Sequence, residues 1–162
     1  MNFLHKSLLL FLLSLFAFQA NGQVCTNYHI DNCRWADNSF FYSRQSRSAL
    51  FSNGITSKFK IIVYSNEEYY ISIAGHKKLG NINITVYEDN DKKTELYDNS
   101  NFKYEESFYF ENKKTRQLII EVTSEKDENA KNTNKKYCLG VLIEFRKMQN
   151  AKRKSKSNNI GF

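Results

Sequence analysis

Residues 69–98 read "YYISIAGHKKLGNINITVYEDNDKKTELYD", and this stretch decides the fold. Tyr69, Ile71 and Ile73 alternate with Tyr70 and Ser72, and Ile82, Ile84 and Val86 alternate with Asn83, Thr85 and Tyr87. Period 2 places each apolar set on one face of an extended strand, whereas a helix would need apolar residues three and four apart. Gly75 and the pair Gly80-Asn81 separate the two runs, as turn residues do. The same alternation continues outward. Upstream, Phe59, Ile61 and Val63 alternate with Lys58 and Lys60; downstream, Phe108 and Phe110 flank Tyr109, and Leu118, Ile120 and Val122 flank Ile119 and Glu121. Finally, Leu139, Val141, Ile143 and Phe145 lie opposite Leu142 and Glu144. Turn signals at Asn53-Gly54, Ser65-Asn66, Asp98-Asn99 and the polar residues 124–136 divide the runs. Short half-buried strands at this spacing predict an all-β protein, an antiparallel β-sandwich of jelly-roll type. The chain has no proline, so exposed strand edges must rely on lysines and acids to block pairing between molecules.

The chain ends differ from this body. Lys6 precedes "SLLLFLLSLFAF" and then "QANGQ", the charged, apolar and small-residue regions of a secretory signal peptide. The apolar run is shorter than the roughly 20 residues a membrane crossing requires, so residues 1–22 are expected to be removed, with the mature chain starting at Gln23 or Asn21. Residues 23–56 then form an N-terminal arm, 57–145 the sandwich, and 146–162 a basic tail. The formal net charge of +7 is concentrated at that end. Between residues 23 and 145 there are 17 Lys and Arg against 17 Asp and Glu, while Arg146, Lys147, Lys152, Arg153, Lys154 and Lys156 follow the last acid, Glu144. Lys152, Arg153, Lys154 and Lys156 are the residues expected to meet anionic surface, weakly and without sequence-specific nucleic-acid recognition. A segment so charged and so poor in apolar residues is expected to be disordered.

Residues 39–51, "SFFYSRQSRSALF", are the one stretch compatible with a helix, although their apolar residues cluster at the two ends rather than along a stripe; a short helix or a strand is expected there. Glu88, Asp89, Asp91, Glu95 and Asp98 crowd into eleven positions. Calcium loops want oxygen ligands at fixed steps and a turn glycine. Asp89 and Asp91 supply one such step, but Lys92 and Lys93 follow, so the stretch reads as a wet hairpin tip, with Asp89 and Asp91 a weak metal candidate.

Cys25, His29 and Cys33 are spaced by four. On a helix this puts all three on one face and resembles part of a zinc site without its fourth ligand. An exported chain meets an oxidising compartment, which makes a Cys25–Cys33 disulfide the plainer reading; pairing of either with Cys138 stays open, as does Cys138 as a small packed residue. His29 and His76 are the histidines of the mature chain, and neither G-x-S-x-G nor a glycine-rich phosphate loop occurs, so no catalytic residue is assigned and no enzyme or cofactor is expected. Asn83-Ile84-Thr85 is formally a glycosylation sequon placed in a strand pattern.

In order, "YYISI", "GNINITVYED", "ELYDNS", "FYF", "RQLIIEV" and "YCLGVLIEF" resemble the strand series of bacterial pre-peptidase C-terminal-like β-sandwich domains. Together with "SRQSRSALFSNG" the set resembles small secreted proteins of Bacteroidota. The Gly-x-Tyr that precedes the sixth strand in such domains is replaced by Thr115-Arg116-Gln117. The resemblance implies a domain that accompanies other proteins or binds surfaces, and it carries over no catalytic residue.

Two functions are therefore expected. One is a non-catalytic secreted or envelope-associated interaction module, periplasmic or at the cell surface, that meets a protein or polysaccharide of the envelope. The alternative is a carbohydrate-binding module in which Tyr70, Tyr87 and Tyr109 form a stacking platform, and a row of such tyrosines facing solvent is the feature that would favour it.

Overall fold

The chain from Cys25 onward folds back on itself like one long hairpin rolled into a barrel-like sandwich. A computed structural model describes residues 25–126 and 135–148. A short helix α1 (Tyr28–Asn32) is followed by β1 (Phe41–Tyr42), β2 (Arg47–Phe51), β3 (Thr56–Val63), β4 (Glu67–Gly75), β5 (Ile82–Glu88), β6 (Glu95–Asp98), β7 (Ser107–Asn112), β8 (Arg116–Ser124) and β9 (Tyr137–Lys147). One sheet runs β1-β9-β4-β7, with β2 also on β9, and the other runs β3-β8-β5-β6; all the pairs are antiparallel. If β1 and β2 count as one interrupted strand, the first strand pairs with the last, the second with the next to last, and so inward to β5–β6. That nesting is the jelly roll, two sheets closing one core.

The core follows from the alternation. Tyr69, Ile71 and Ile73 of β4 and Leu139, Val141 and Ile143 of β9 face Ile61 and Val63 of β3, Ile84 and Val86 of β5, and Leu118, Ile120 and Val122 of β8. A register slip of one residue would turn each of these sets outward. Asn66, with φ of 61°, makes the tight β3–β4 connection, a left-handed position that asparagine tolerates better than most residues.

Two expectations are corrected here. Of the two readings of residues 39–51 the strand holds and the helix does not: Phe41–Tyr42 and Arg47–Phe51 pair with β9, so part of the expected arm is the sheet's edge, and the sandwich begins well before residue 57. The reason is that β9 needs a partner on the side away from β4, and the alternation Arg47, Ala49, Phe51 supplies it. At the other end β9 runs through Arg146 to Lys147, two residues past the expected boundary. The helix lies instead between Cys25 and Cys33, where their spacing allowed one.

The cysteine pairing is the second correction. Cys25 is bridged to Cys138, with Cα atoms 5.4 Å apart, and Cys33 is a buried free thiol. Cys25 does not pair with Cys33, because its sulfur is bonded to Cys138 and the helix between the two cysteines sets the Cys33 thiol against the Gly140 carbonyl instead. Cys138 is therefore not merely a packed small residue; it ties the start of the described chain to its last strand.

Candidate binding surface

The outer face of the β1-β9-β4-β7 sheet is covered over its middle strands β9 and β4, because residues 25–40 lie across it as a strap. His29 on α1, Cys25 in the turn before it and Cys33 at its end are all buried. The Cys33 thiol donates to the Gly140 carbonyl at 3.3 Å, and burial pushes its pKa up to about 11, so it is a packed thiol rather than a reactive thiolate. Further along, Ser72 Oγ donates to the Arg34 carbonyl at 2.7 Å, and the Ala36 N–H donates to Glu144 Oε2 at 2.8 Å. Phe40 closes the strap over Tyr70 and Tyr109, at ring distances of 6.3 and 5.7 Å, and Arg146 lies over the Phe40 ring at 4.4 Å while holding Glu68 at 2.7 Å. Leu142 and Glu144, on the outward side of β9, are buried by this cover.

The strap removes the expected tyrosine platform. Tyr70 is 2 % exposed and Tyr109 54 %; their rings touch at 4.6 Å, but Tyr70 is the floor under Phe40. Tyr87 is on β5, in the opposite sheet. The three do not form a row, because β4 and β5 belong to different layers of the jelly roll.

His29 is the polar latch of the strap. Its backbone N–H donates to Ser48 Oγ at 2.9 Å, the same oxygen lies 2.6 Å from Nδ1, and Nε2 lies 3.0 Å from Tyr42 Oη. A serine beside an imidazole is the geometry of an activated nucleophile, but here the hydroxyl is committed to the backbone and ring of one buried residue, so the contact fastens α1 to β2. Burial lowers the His29 pKa below its ordinary 6.5, against a smaller upward pull from Asp31. An unfolded chain therefore binds a proton at His29 that the folded chain refuses, and stability contributed at higher pH is lost as pH falls from about 6.5 through the lowered folded value. Glu144 works in the opposite sense: burial raises its pKa above 4.5, so its contribution is full below 4.5 and is lost as pH rises through the raised value. His29→Gln is expected to flatten the pH dependence of urea midpoints just below pH 6.5 while leaving the Glu144 branch. An unchanged profile would show that His29 is solvated.

At the β5–β6 tip the acids behave as surface groups. Asp89 is paired with Lys60 at 2.6 Å across β8, and Glu88 binds Lys114 at 2.8 Å and Arg116 at 3.2 Å, contacts that hold its pKa down. The turn closes through Glu88 N–H to the Thr94 carbonyl and Lys93 N–H to the Asn90 carbonyl. The structure does not bring Asp89 and Asp91 into a ligand set, and among the described residues no group of three or more His, Cys, Asp or Glu is arranged to hold a metal.

The most organised surface feature is the crossing between the sheets, residues 99–106. Asn99 has no solvent exposure and uses its whole carboxamide: Nδ2 donates to the Ile82 and Glu105 carbonyls at 3.0 and 3.1 Å, and Oδ1 accepts from the Ile84 N–H and Asn83 Nδ2 at 2.9 and 3.1 Å. Asp98 caps the following turn, accepting from Ser100 N–H at 2.8 Å and Asn83 Nδ2 at 2.7 Å. The Ile73 N–H donates to the Glu106 carbonyl at 2.8 Å and moors the far end on β4. So held, the chain carries Lys103 and Tyr104 in succession at φ of 55° and 59°, left-handed positions that cost non-glycine residues of order 1 kcal/mol or more each. The outcome is a fixed loop that presents Phe102, 51 % exposed, and Tyr104, 41 % exposed. Phe102 rests on Tyr97 at 5.5 Å, and Tyr97 stacks on Phe108 at 3.8 Å, so the exposed ring is continuous with the core.

Comparison with solved structures finds similarity to a periplasmic lysozyme inhibitor of g-type lysozyme from Aeromonas hydrophila, PliG. The two chains are 9 % identical with a TM-score of 0.47, over 70 % of this chain and 92 % of that one. No protein-family model and no curated protein matches the sequence.

Sequence reasoning missed Asn99, Phe102 and Tyr104. A usable signal was present: "DNSNFKY" sets a phenylalanine and a tyrosine inside a cluster of turn residues, where apolar side chains have no strand face to join. Lys152, Arg153, Lys154 and Lys156 lie outside the described residues, as do the expected signal sequence and most of the expected tail. Removing the Asn99 carboxamide with Asn99→Ser is expected to cost about 2 kcal/mol, since it leaves backbone groups of β5 and the loop unpaired, and to release the loop. Urea denaturation and amide exchange at residues 99–106 check both effects.

Proposed function

We propose that the protein is a non-catalytic, exported binding module that docks onto a protein of the cell envelope through residues 99–106. The observation that supports this is the Asn99-held loop, which keeps two exposed aromatic rings on a strained backbone fastened by hydrogen bonds at Asn99, Ser100, Tyr104, Glu105 and Glu106. Aromatic anchors that are rigid before binding lose little conformational entropy on docking. Strain at a surface loop is retained where surrounding contacts over-determine it, commonly at binding sites. The mixed charge around the rings, with Glu95, Lys103, Glu105 and Glu106 nearby in the chain, suits a polar rim around an apolar centre. Export rests on the signal-like residues 1–22. The basic residues from Lys152 to Lys156 would add a weak, salt-sensitive attraction to polyanions of the envelope. The resemblance to pre-peptidase C-terminal-like domains agrees with a binding role.

The double variant Phe102→Ser, Tyr104→Ser tests this reading. Both residues are about half exposed, so the variant should stay folded with a loss of about 1–2 kcal/mol, chiefly from the Phe102 contact with Tyr97, while its association with envelope-fraction protein, measured by size-exclusion shift or cross-linking, is lost. Association that survives in the folded double variant would place the docking surface elsewhere.

A further inference from the structure

The two sheets separate at one corner. β2 and β3 are consecutive strands joined by a turn at Ser52–Ile55, yet β2 belongs to one sheet and β3 to the other. They therefore diverge from the turn and leave a groove of about 230 Å³ between the layers. Its floor is core: Phe51, Val122, Leu139 and Val141. The groove stays open because the residues on its two lips, Ala49 and Ser57, are small. Arg47 is in register with Val141, whose side chain lies in the core, so Arg47 projects into the gap rather than away from it. Its guanidinium lies 5.1 Å over the Phe59 ring on the opposite strand. Beyond that point Gln45 ties the layers together, accepting from the Ile62 N–H at 2.7 Å and donating to the Ile62 carbonyl at 2.9 Å.

The groove is thus apolar along its floor, closed at one end by the turn, and marked at the other by a cation. Lys58, also on the rim, is paired with Glu121. Among the described residues Arg47 has no carboxylate partner. An inward-pointing arginine on an edge strand also discourages strand pairing between molecules, but that purpose does not require a cavity beneath it.

We propose that this groove binds a short aliphatic carboxylate, with the chain between the sheets and the carboxylate on Arg47. The site is separate from the loop at residues 99–106 and goes beyond the binding role assigned to it. The space equals roughly eight waters at about 30 Å³ each, which suits a chain of the octanoate class. Burial of the methylenes draws the chain into the groove, and the carboxylate is ionised at pH 7, so it meets a guanidinium able to bind it through two parallel hydrogen bonds.

The test is a methyl-resolved NMR titration of the mature protein with octanoate and, separately, with octylammonium. Octanoate is expected to cause saturable shifts at Ala49, Val122 and Leu139, and Arg47→Gln to weaken it by about tenfold, the loss of one charge-assisted contact. Ala49→Leu, which fills the groove from an exposed position, should remove binding with the melting temperature unchanged. Octylammonium should bind more weakly than octanoate. Absence of saturable shifts, equal binding of the two amphiphiles, or octanoate affinity unchanged in Arg47→Gln would each overturn the proposal.

Discussion

Replacing Cys25 with serine is expected to destabilise the protein by about 5 kcal/mol on the chain-entropy estimate, lowering its melting temperature by on the order of 15 °C. The size follows from the sequence separation of 113 between Cys25 and Cys138: opening so long a loop returns much more freedom to the unfolded chain than a nine-residue loop would. The folded state loses as well, because the bridge anchors α1 on β9, and with it the strap that buries Tyr70, Leu142 and Glu144. Non-reducing peptide mapping should recover the Cys25 peptide joined to the Cys138 peptide, and thermal unfolding with and without reductant gives the magnitude. A Cys25→Ser protein that melts within a few degrees of wild type would show that the strap holds without the bridge.

Gly140→Ala is the second large effect, and its sign is informative. Glycine inside a strand is less favourable than alanine by roughly 0.5–1 kcal/mol, so propensity alone makes this substitution a gain. Packing says otherwise. A Cβ at Gly140 would lie 2.6 Å from His29 Cα and 2.7 Å from His29 N, and those are backbone atoms that cannot rotate aside. The helix cannot retreat easily either, because Cys25 is bonded to β9 two residues before Gly140 and His29 is latched to Ser48. The expected outcome is a loss of about 3 kcal/mol, at the upper end of overpacking costs, with the strap lifted. Trp35, the chain's single tryptophan, lies on the strap with Nε1 on the Ile30 carbonyl at 3.1 Å, so its emission reports that lift independently of global unfolding. A neutral or stabilising Gly140→Ala would mean that α1 does not pack on β9.

These two effects mark where the sequence stopped being readable. The strands around Ile71, Ile84, Ile120 and Ile143 were legible because half-burial imposes a local period of 2, visible within six residues. The jelly-roll type was legible for the same reason, from the number and spacing of the runs. What was hidden depends on contacts between distant residues. The partner of Cys25 is Cys138, because a helix that packs on β9 needs glycine at 140 and carries Cys25 with it; no pattern near Cys25 records that. Residues 39–51 were ambiguous because their alternation is interrupted between β1 and β2 at Ser43–Ser46, where Ser46 Oγ donates to the Ser43 carbonyl at 2.7 Å and the chain turns. Tyr70 looked like a surface residue because it is out of phase with the core, and it is; a second layer then covers that face. The loop at residues 99–106 was unreadable as a site because its rigidity comes from one asparagine bonded to β5, seventeen residues earlier in the chain at Ile82.

The central claim, a rigid aromatic loop as the docking surface, is tested most directly by site-specific photo-cross-linking. A photoreactive phenylalanine analogue at position 102 should give, in envelope extracts, a discrete cross-linked species that excess wild-type protein competes away and excess Phe102→Ser, Tyr104→Ser protein does not. The same analogue at position 62, exposed on β3 at the opposite edge of the β3-β8-β5-β6 sheet from β6, should give none. A competable cross-link at position 62 with none at 102 would contradict the account.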